Sequence, residues 1–177
     1  MSGARRIVLL GFMAAGKTSV ARALAALLGC EAVDLDRLIS EGEKRTVREL
    51  IEERGVDVFR RAETMTLRVV LRRTDARVIA LGGGAWTIEE NRELIAAHGC
   101  LTVWLDAPFE LCWGRIQREA GTRPLALDRA SAHRLYRERL PLYGLAALRL
   151  PVAEGASAEE TAAELLKVMR RLRFIKG

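Results

Sequence analysis

Short apolar segments alternate along this chain with longer stretches of helical periodicity. The strand candidates are Ile7 to Leu10, Ala32 to Leu35, Val78 to Leu81, Leu101 to Leu105 and Leu148 to Val152; the first is wholly apolar and partly β-branched, as in a strand buried on both faces. Over Thr18 to Leu28, the residues Val20, Ala21, Leu24, Leu27 and Leu28 fall at helical spacing, with Gly29 placed as a stop. Thr46 to Arg73 reads as helix broken near Gly55, Pro108 to Arg118 as a helix begun by proline, and about Ala158 to Leu172 as an amphipathic helix. Strands alternating with helices predict an α/β domain with a mainly parallel sheet.

Between the first strand and the first helix lies Gly11-Phe12-Met13-Ala14-Ala15-Gly16-Lys17-Thr18, which fits G-x-x-x-x-G-K-[ST] at every required position. Strand, glycine loop and helix in this order predict a phosphate-binding P-loop. Gly11 and Gly16 allow the backbone to turn so that successive N–H groups and the helix N-terminus point at one anion. The pattern assigns Lys17 to the β- and γ-phosphates and the Thr18 hydroxyl to Mg²⁺.

The second strand runs into Asp34-Leu35-Asp36. In an extended segment residues two apart share a face, so both carboxylates are expected to project together at the carboxyl edge of the sheet, where the P-loop also lies. Two acids beside a triphosphate can hold Mg²⁺ or orient an acceptor hydroxyl; a capping aspartate that opens the next helix is the plain alternative. Arg60 and Glu63 are three apart on one helix face, either as a surface ion pair or as a positioned guanidinium. Gly82-Gly83-Gly84-Ala85 follows a buried strand and brings bare backbone against a turn or a ligand. From Glu119 to Ala130 the helical pattern fails, leaving a loop that carries Arg123 and could close over a γ-phosphate. Beyond it, Pro141 is expected to break or kink the helix that contains Arg139.

The chain has 177 residues, half of them hydrophobic, which is most simply one domain with a real core. No apolar run approaches the roughly 18 residues of a membrane span, and no cleavable apolar leader is visible, so a cytoplasmic protein without membrane contact is expected. The net charge of +6 favours acidic ligands, but only 5% of residues are aromatic and the basic ones are scattered, which argues against nucleic acid as a partner. Pairs such as Arg72-Arg73 and Arg170-Arg171 read as solvated helix faces. Cys30, Cys100 and Cys112 are odd in number and widely spaced, which suggests reduced packing cysteines, with neither a disulfide framework nor a zinc site. His98 and His133 read as solvated.

Taken together, these motifs resemble the shikimate kinases, within the nucleoside monophosphate kinase-like branch of P-loop proteins, from Ile7 to about Leu172. The resemblance implies a three-layer P-loop fold: a five-stranded parallel sheet in the order 2-3-1-4-5 flanked by helices. It implies one domain over 1–177, with substrate-binding helices at about 36–73 and a lid at about 115–130. The implied reaction is transfer of the γ-phosphate of ATP to the 3-hydroxyl of shikimate, in aromatic amino-acid biosynthesis, with Mg²⁺ as cofactor. By the same resemblance, Gly11, Ala14, Ala15, Gly16, Lys17, Thr18 and Ser19 bind ATP, with Arg115 against the adenine and Arg123 as the lid arginine. Thr18 and Asp34 hold the metal, Asp34 through water. Asp36 orients the acceptor hydroxyl and takes its proton. Arg60, supported by Glu63, and Arg139 grip the substrate carboxylate, while the backbone of Gly82, Gly83 and Gly84 lines the substrate site.

Three residues depart from the family pattern. Ala14 replaces a common glycine, which matters if that position needs φ > 0. Ile51 stands where a phenylalanine often packs, and Trp86 follows the glycine loop where smaller residues are common, so both bear on which ring fits. A kinase for gluconate or an amino analogue of shikimate is the nearest rival, followed by a nucleoside monophosphate kinase. A non-catalytic ATP-binding module is the rival from another class. The small size fits a monomer.

Overall fold

The computed structural model describes residues 5–73, 76–118 and 128–174. Five strands, β1 (Ile7–Leu10), β2 (Glu31–Asp34), β3 (Ala76–Ala80), β4 (Leu101–Asp106) and β5 (Leu148–Pro151), form one sheet in the order β2-β3-β1-β4-β5. Every pairing between neighbours is parallel. Eight helices flank the sheet among the described residues: α1 (Lys17–Leu28), α2 (Leu35–Glu43), α3 (Val47–Arg54), α4 (Val56–Arg72), α5 (Glu89–Ala97), α6 (Phe109–Arg118), α7 (Arg129–Tyr143) and α8 (Ala158–Arg171), with a 3₁₀ turn at Ala85–Thr87.

The central runs are strands because both of their faces are covered, whereas at the sheet edges β2 fully buries only Val33 and β5 only Leu150. All four residues of β1 are buried, as are Leu101 to Leu105 of β4, and α1 packs beside α8. Each buried Leu, Ile or Val contributes about 1.5–3 kcal/mol of apolar transfer, so β1, Leu24, Val78, Ile79, Val103 and Leu165 hold the centre against chain entropy. Helix ends follow local chemistry: Gly29 closes α1 in the left-handed conformation, and capping boxes at Thr46–Glu49 and Ser157–Glu160 start α3 and α8.

The structure corrects three expectations. Asp34, Leu35 and Asp36 are not one extended segment: β2 ends at Asp34, whose carboxylate accepts the Arg37 N–H and caps α2, so Asp36 lies in the first helical turn. The stretch 119–130 is not all loop, because Asp128 caps α7 and Arg129 and Ala130 are already helical; 115–118 likewise belong to α6. Residues 119–127, Arg123 among them, lie outside the described residues. Pro141 does not end its helix: α7 continues to Tyr143, since a proline this close to the C-terminus costs only one N–H bond of the last turns.

Candidate active site

The P-loop joins β1 to α1 at the carboxyl edge of the sheet. Gly11 and Gly16 both have positive φ, 142° and 97°. Ala14 also lies in the left-handed region, at φ 58°, so the position where the chain departs from a glycine does require that geometry. Lys17 is buried, and its Nζ donates to the carbonyls of Gly11 at 3.0 Å and Phe12 at 2.8 Å. Arg115 of α6 reaches across and donates Nη1 to the Ala14 carbonyl at 3.0 Å, which ties it to the P-loop itself.

The two aspartates converge on the P-loop by a helix start rather than by strand alternation. Asp34 divides its oxygens, Oδ1 capping α2 and Oδ2 accepting the Thr18 hydroxyl. A hydroxyl and a carboxylate oxygen thus meet beside the phosphate cradle, and an all-oxygen donor set of this kind fits Mg²⁺. Asp36 sits two residues on, in the first turn of α2 and in the same cavity wall.

On the acceptor side, α4, α7 and the glycine loop meet. Arg60 Nη1 donates to Glu63 Oε2 at 2.7 Å, and its guanidinium lies 5.1 Å from the Phe59 ring centre. The Glu63 side chain is wholly buried, with Oε1 lacking a hydrogen-bond partner among the described residues. Burial pushes its carboxyl up to about 7, against the lowering influence of Arg60 and Arg139, and the neighbouring Asp36 raises it further. Arg139, also buried, donates Nη1 to the Gly83 carbonyl at 2.9 Å.

Two glycines are required here by close approach. A Cβ on Gly82 would lie 2.5 Å from Asp36 Oδ1 and 2.6 Å from Glu63 Oε1, and one on Gly84 would lie 2.7 Å from Arg60 Cζ. The glycine triple therefore lets two carboxylates and a guanidinium rest directly on backbone.

A cavity of about 590 Å³ runs from the P-loop to the glycine loop; Ala14, Ala15, Gly16, Lys17, Thr18, Ser19, Asp34, Asp36, Gly83 and Arg115 line it. Its far wall went unnoticed in the sequence: Arg118, Val152, Ala156, Ser157, Ala158 and Thr161, from the end of α6 and the β5 to α8 connection. The Ser157–Glu160 capping box just past a strand was the available signal, since it marks a helix start at the ligand-binding edge. Trp86 is buried, its Nε1 donating to the Leu142 carbonyl at 2.8 Å. It fastens the 3₁₀ turn to α7. Ile51 is half-buried against the core.

Other expectations outside the site resolve simply. Cys30 and Cys100 are half-buried and Cys112 is buried, its thiol donating to the Ala107 carbonyl at 3.9 Å, and Arg72, Arg73, Arg170 and Arg171 are exposed. His98 and His133 are exposed too, and His133 packs edge-on against Phe109 at 4.7 Å between ring centres. Among the described residues no helix is long and apolar enough to cross a membrane.

A P-loop on a 2-3-1-4-5 parallel sheet, opening into a cavity that also carries acids and a glycine loop gripped by arginines, defines a P-loop kinase for a small molecule. Comparison with known proteins narrows this class. The family model for shikimate kinase matches residues 13–170. A shikimate kinase of Mesorhizobium japonicum is 37% identical over 96% of this chain and 83% of its own length, and one of Ruegeria pomeroyi is 37% identical over 88% and 80%. The structure of shikimate kinase from Acinetobacter baumannii in complex with shikimate superposes with a TM-score of 0.89, at 34% identity, covering 96% of this chain and 94% of that one. The chain belongs to the shikimate kinase family.

Proposed function

We propose that this protein phosphorylates the 3-hydroxyl of shikimate with ATP, giving shikimate 3-phosphate and ADP, in aromatic amino-acid biosynthesis. The observation that carries the reading is the single cavity that joins the P-loop to Asp36 and Gly83, with Arg60 and Arg139 packed on the glycine loop beside it. A phosphoryl donor and a carboxylated acceptor fit its two ends.

In this reading the backbone of Gly11 to Gly16 cradles the phosphates, and Lys17 leaves the Gly11 and Phe12 carbonyls to neutralise charge around the γ-phosphate. Thr18 and Asp34 hold Mg²⁺, which when bound neutralises charge on the β- and γ-oxygens. Asp36 orients the acceptor hydroxyl and takes its proton. Arg60, braced by Glu63, and Arg139 supply planar donors to the substrate carboxylate. Arg115 borders the adenine, and Arg123 adds positive charge over the transferring group. The unit is one domain over 1–177, acting as a cytoplasmic monomer without nucleic acid or membrane partners.

The test is ADP release from Mg·ATP with shikimate as acceptor, alongside gluconate, quinate and a nucleoside monophosphate. Shikimate-dependent release, absent with the other three, supports the assignment. Turnover with another acceptor reassigns the substrate, and nucleotide binding without turnover on any acceptor indicates a regulatory ATP-binding module.

A further inference from the structure

One buried hydroxyl beside the acceptor site has no part in the reaction as described. The Tyr143 O–H donates to the Gly83 carbonyl at 2.6 Å, the same oxygen that accepts Arg139 Nη1 at 2.9 Å. Arg139 and Tyr143 are four apart on α7, so both reach the glycine loop from one helix face.

We propose that Tyr143 is a positioning residue for Arg139: its hydroxyl occupies one lone pair of the Gly83 carbonyl while its oxygen accepts from the Arg139 side chain, so the guanidinium is held in one orientation with its outer N–H groups toward the acceptor carboxylate. A carbonyl oxygen accepts two hydrogen bonds, and a guanidinium has five N–H donors in a fixed fork. Without the hydroxyl, the second acceptor site on Gly83 draws another Arg139 N–H onto the backbone. The guanidinium then turns away from the substrate.

The hydroxyl is placed rigidly enough for this role. Tyr143 is fully buried, and its ring is tilted against Trp104 of β4 with centres 6.1 Å apart. Trp104 in turn lies against the P-loop entrance, where a Cβ on Gly11 would meet its Cδ1 at 3.6 Å. Burial raises the phenol to about 12, although Arg139 lowers it, so Tyr143 remains a donor throughout the working range of pH. One residue earlier, the Leu142 carbonyl accepts Trp86 Nε1. That second bond fastens the end of α7. Earlier on the same helix the Tyr136 hydroxyl donates to the Ala107 carbonyl at 3.2 Å, away from Gly83, and it provides a control.

The inference rests on the reading that Arg139 binds the acceptor carboxylate. The experiment is steady-state kinetics on Tyr143→Phe, Arg139→Lys, their double variant and Tyr136→Phe, each checked for fold by circular dichroism. Losing one donor's worth of ordering predicts a rise of about five- to tenfold in the shikimate KM for Tyr143→Phe, with kcat and the ATP KM within about twofold of wild type. In the Arg139→Lys background the same change should add less than twofold. Tyr136→Phe, which removes a hydroxyl from the same helix without touching Gly83, should leave the shikimate KM in place. The methyl ester of shikimate offers a second reading in which Tyr143→Phe and wild type should have equal KM, because the carboxylate charge is gone. The inference is overturned by an unchanged shikimate KM in Tyr143→Phe, by effects that multiply in the double variant, by an equal KM rise in Tyr136→Phe, or by unequal KM for the ester. If Arg139→Lys itself leaves the shikimate KM unchanged, the carboxylate role of Arg139 has failed, and the inference falls with it.

Discussion

Asp36 and Glu63, from two different helices, bring carboxylate oxygens to the same backbone atom: a Cβ on Gly82 would stand 2.5 Å from one and 2.6 Å from the other. Burial is what chiefly raises the proton affinity of the more enclosed partner, and the facing carboxylate adds to it. That partner is Glu63, whose carboxyl titrates at about 7 where an ordinary glutamate titrates near 4.5.

A stability signature follows from Glu63. Between pH 4.5 and 7 the folded chain keeps a proton there that the unfolded chain has lost, so in this window stability falls as pH rises. The contribution is fully present below the lower value and gone above the upper one. Glu63→Gln cannot titrate, so its melting temperature relative to wild type should be more favourable at pH 8 than at pH 4.5. Thermal melts of both proteins across that range check it, and a constant difference would mean that Glu63 stays ionised.

Gly84→Ala should separate binding from stability. The added Cβ displaces the far end of the Arg60 side chain, which can swing aside. The melting temperature should therefore change little, while the shikimate KM rises about ten- to a hundredfold, comparable to Arg60→Ala, since a charge-assisted bond of roughly 1.5–3 kcal/mol is lost. Kinetics against shikimate at saturating ATP would show it; an unchanged KM removes Arg60 from the site.

Asp36→Asn and Lys17→Ala should fail differently. A positioned acid–base group contributes about 10²–10⁴ in rate, so Asp36→Asn is expected to lose kcat to that extent and still bind ATP. Lys17→Ala should lose nucleotide affinity and transfer together, because the charge it supplies acts on the phosphates. Nucleotide titration beside turnover assays distinguishes the two. Normal turnover in Asp36→Asn leaves that residue a structural role.

Ala14→Gly should stabilise the protein. A left-handed conformation costs a non-glycine residue about 1–2 kcal/mol, and glycine returns about 0.5–1 kcal/mol of that through the flexibility of the unfolded chain. A rise of roughly 1–4 °C in melting temperature is expected for a chain of this size, read by calorimetry. A fall would show that the loop holds Ala14 without strain.

The parts of the fold legible in the sequence are those with one physical cause. β1 and β4 are covered on both faces, so β1 reads as an unbroken apolar run and β4 as one interrupted only by Thr102 before Asp106, and composition suffices to place both. The P-loop and the glycine triple were legible because backbone approach leaves a spacing of glycines that side-chain packing does not. Asp34 misled because it does two things at once, ending a strand and capping a helix, and periodicity carries only one assignment per residue. Pro141 misled because its cost depends on distance from the helix end, which is set by the packing of Tyr143. The far cavity wall was faint because Ala156, Ser157 and Thr161 are small or neutral and the Ser157–Glu160 capping box by itself marks only a helix start; they acquire meaning when β5 lies beside β4.

That wall also makes the outer edge of the sheet part of the nucleotide site. β5 pairs with β4 alone and is the outermost strand on its side, whereas the P-loop springs from the central strand. A ligand that touches both Gly16 and Ser157 spans centre and edge and ties them by its own binding energy. Nucleotide should thus act as a strap on the C-terminal third of the chain, slowing amide exchange in β5 and α8 more than in β2 and α2, in proportion to its occupancy.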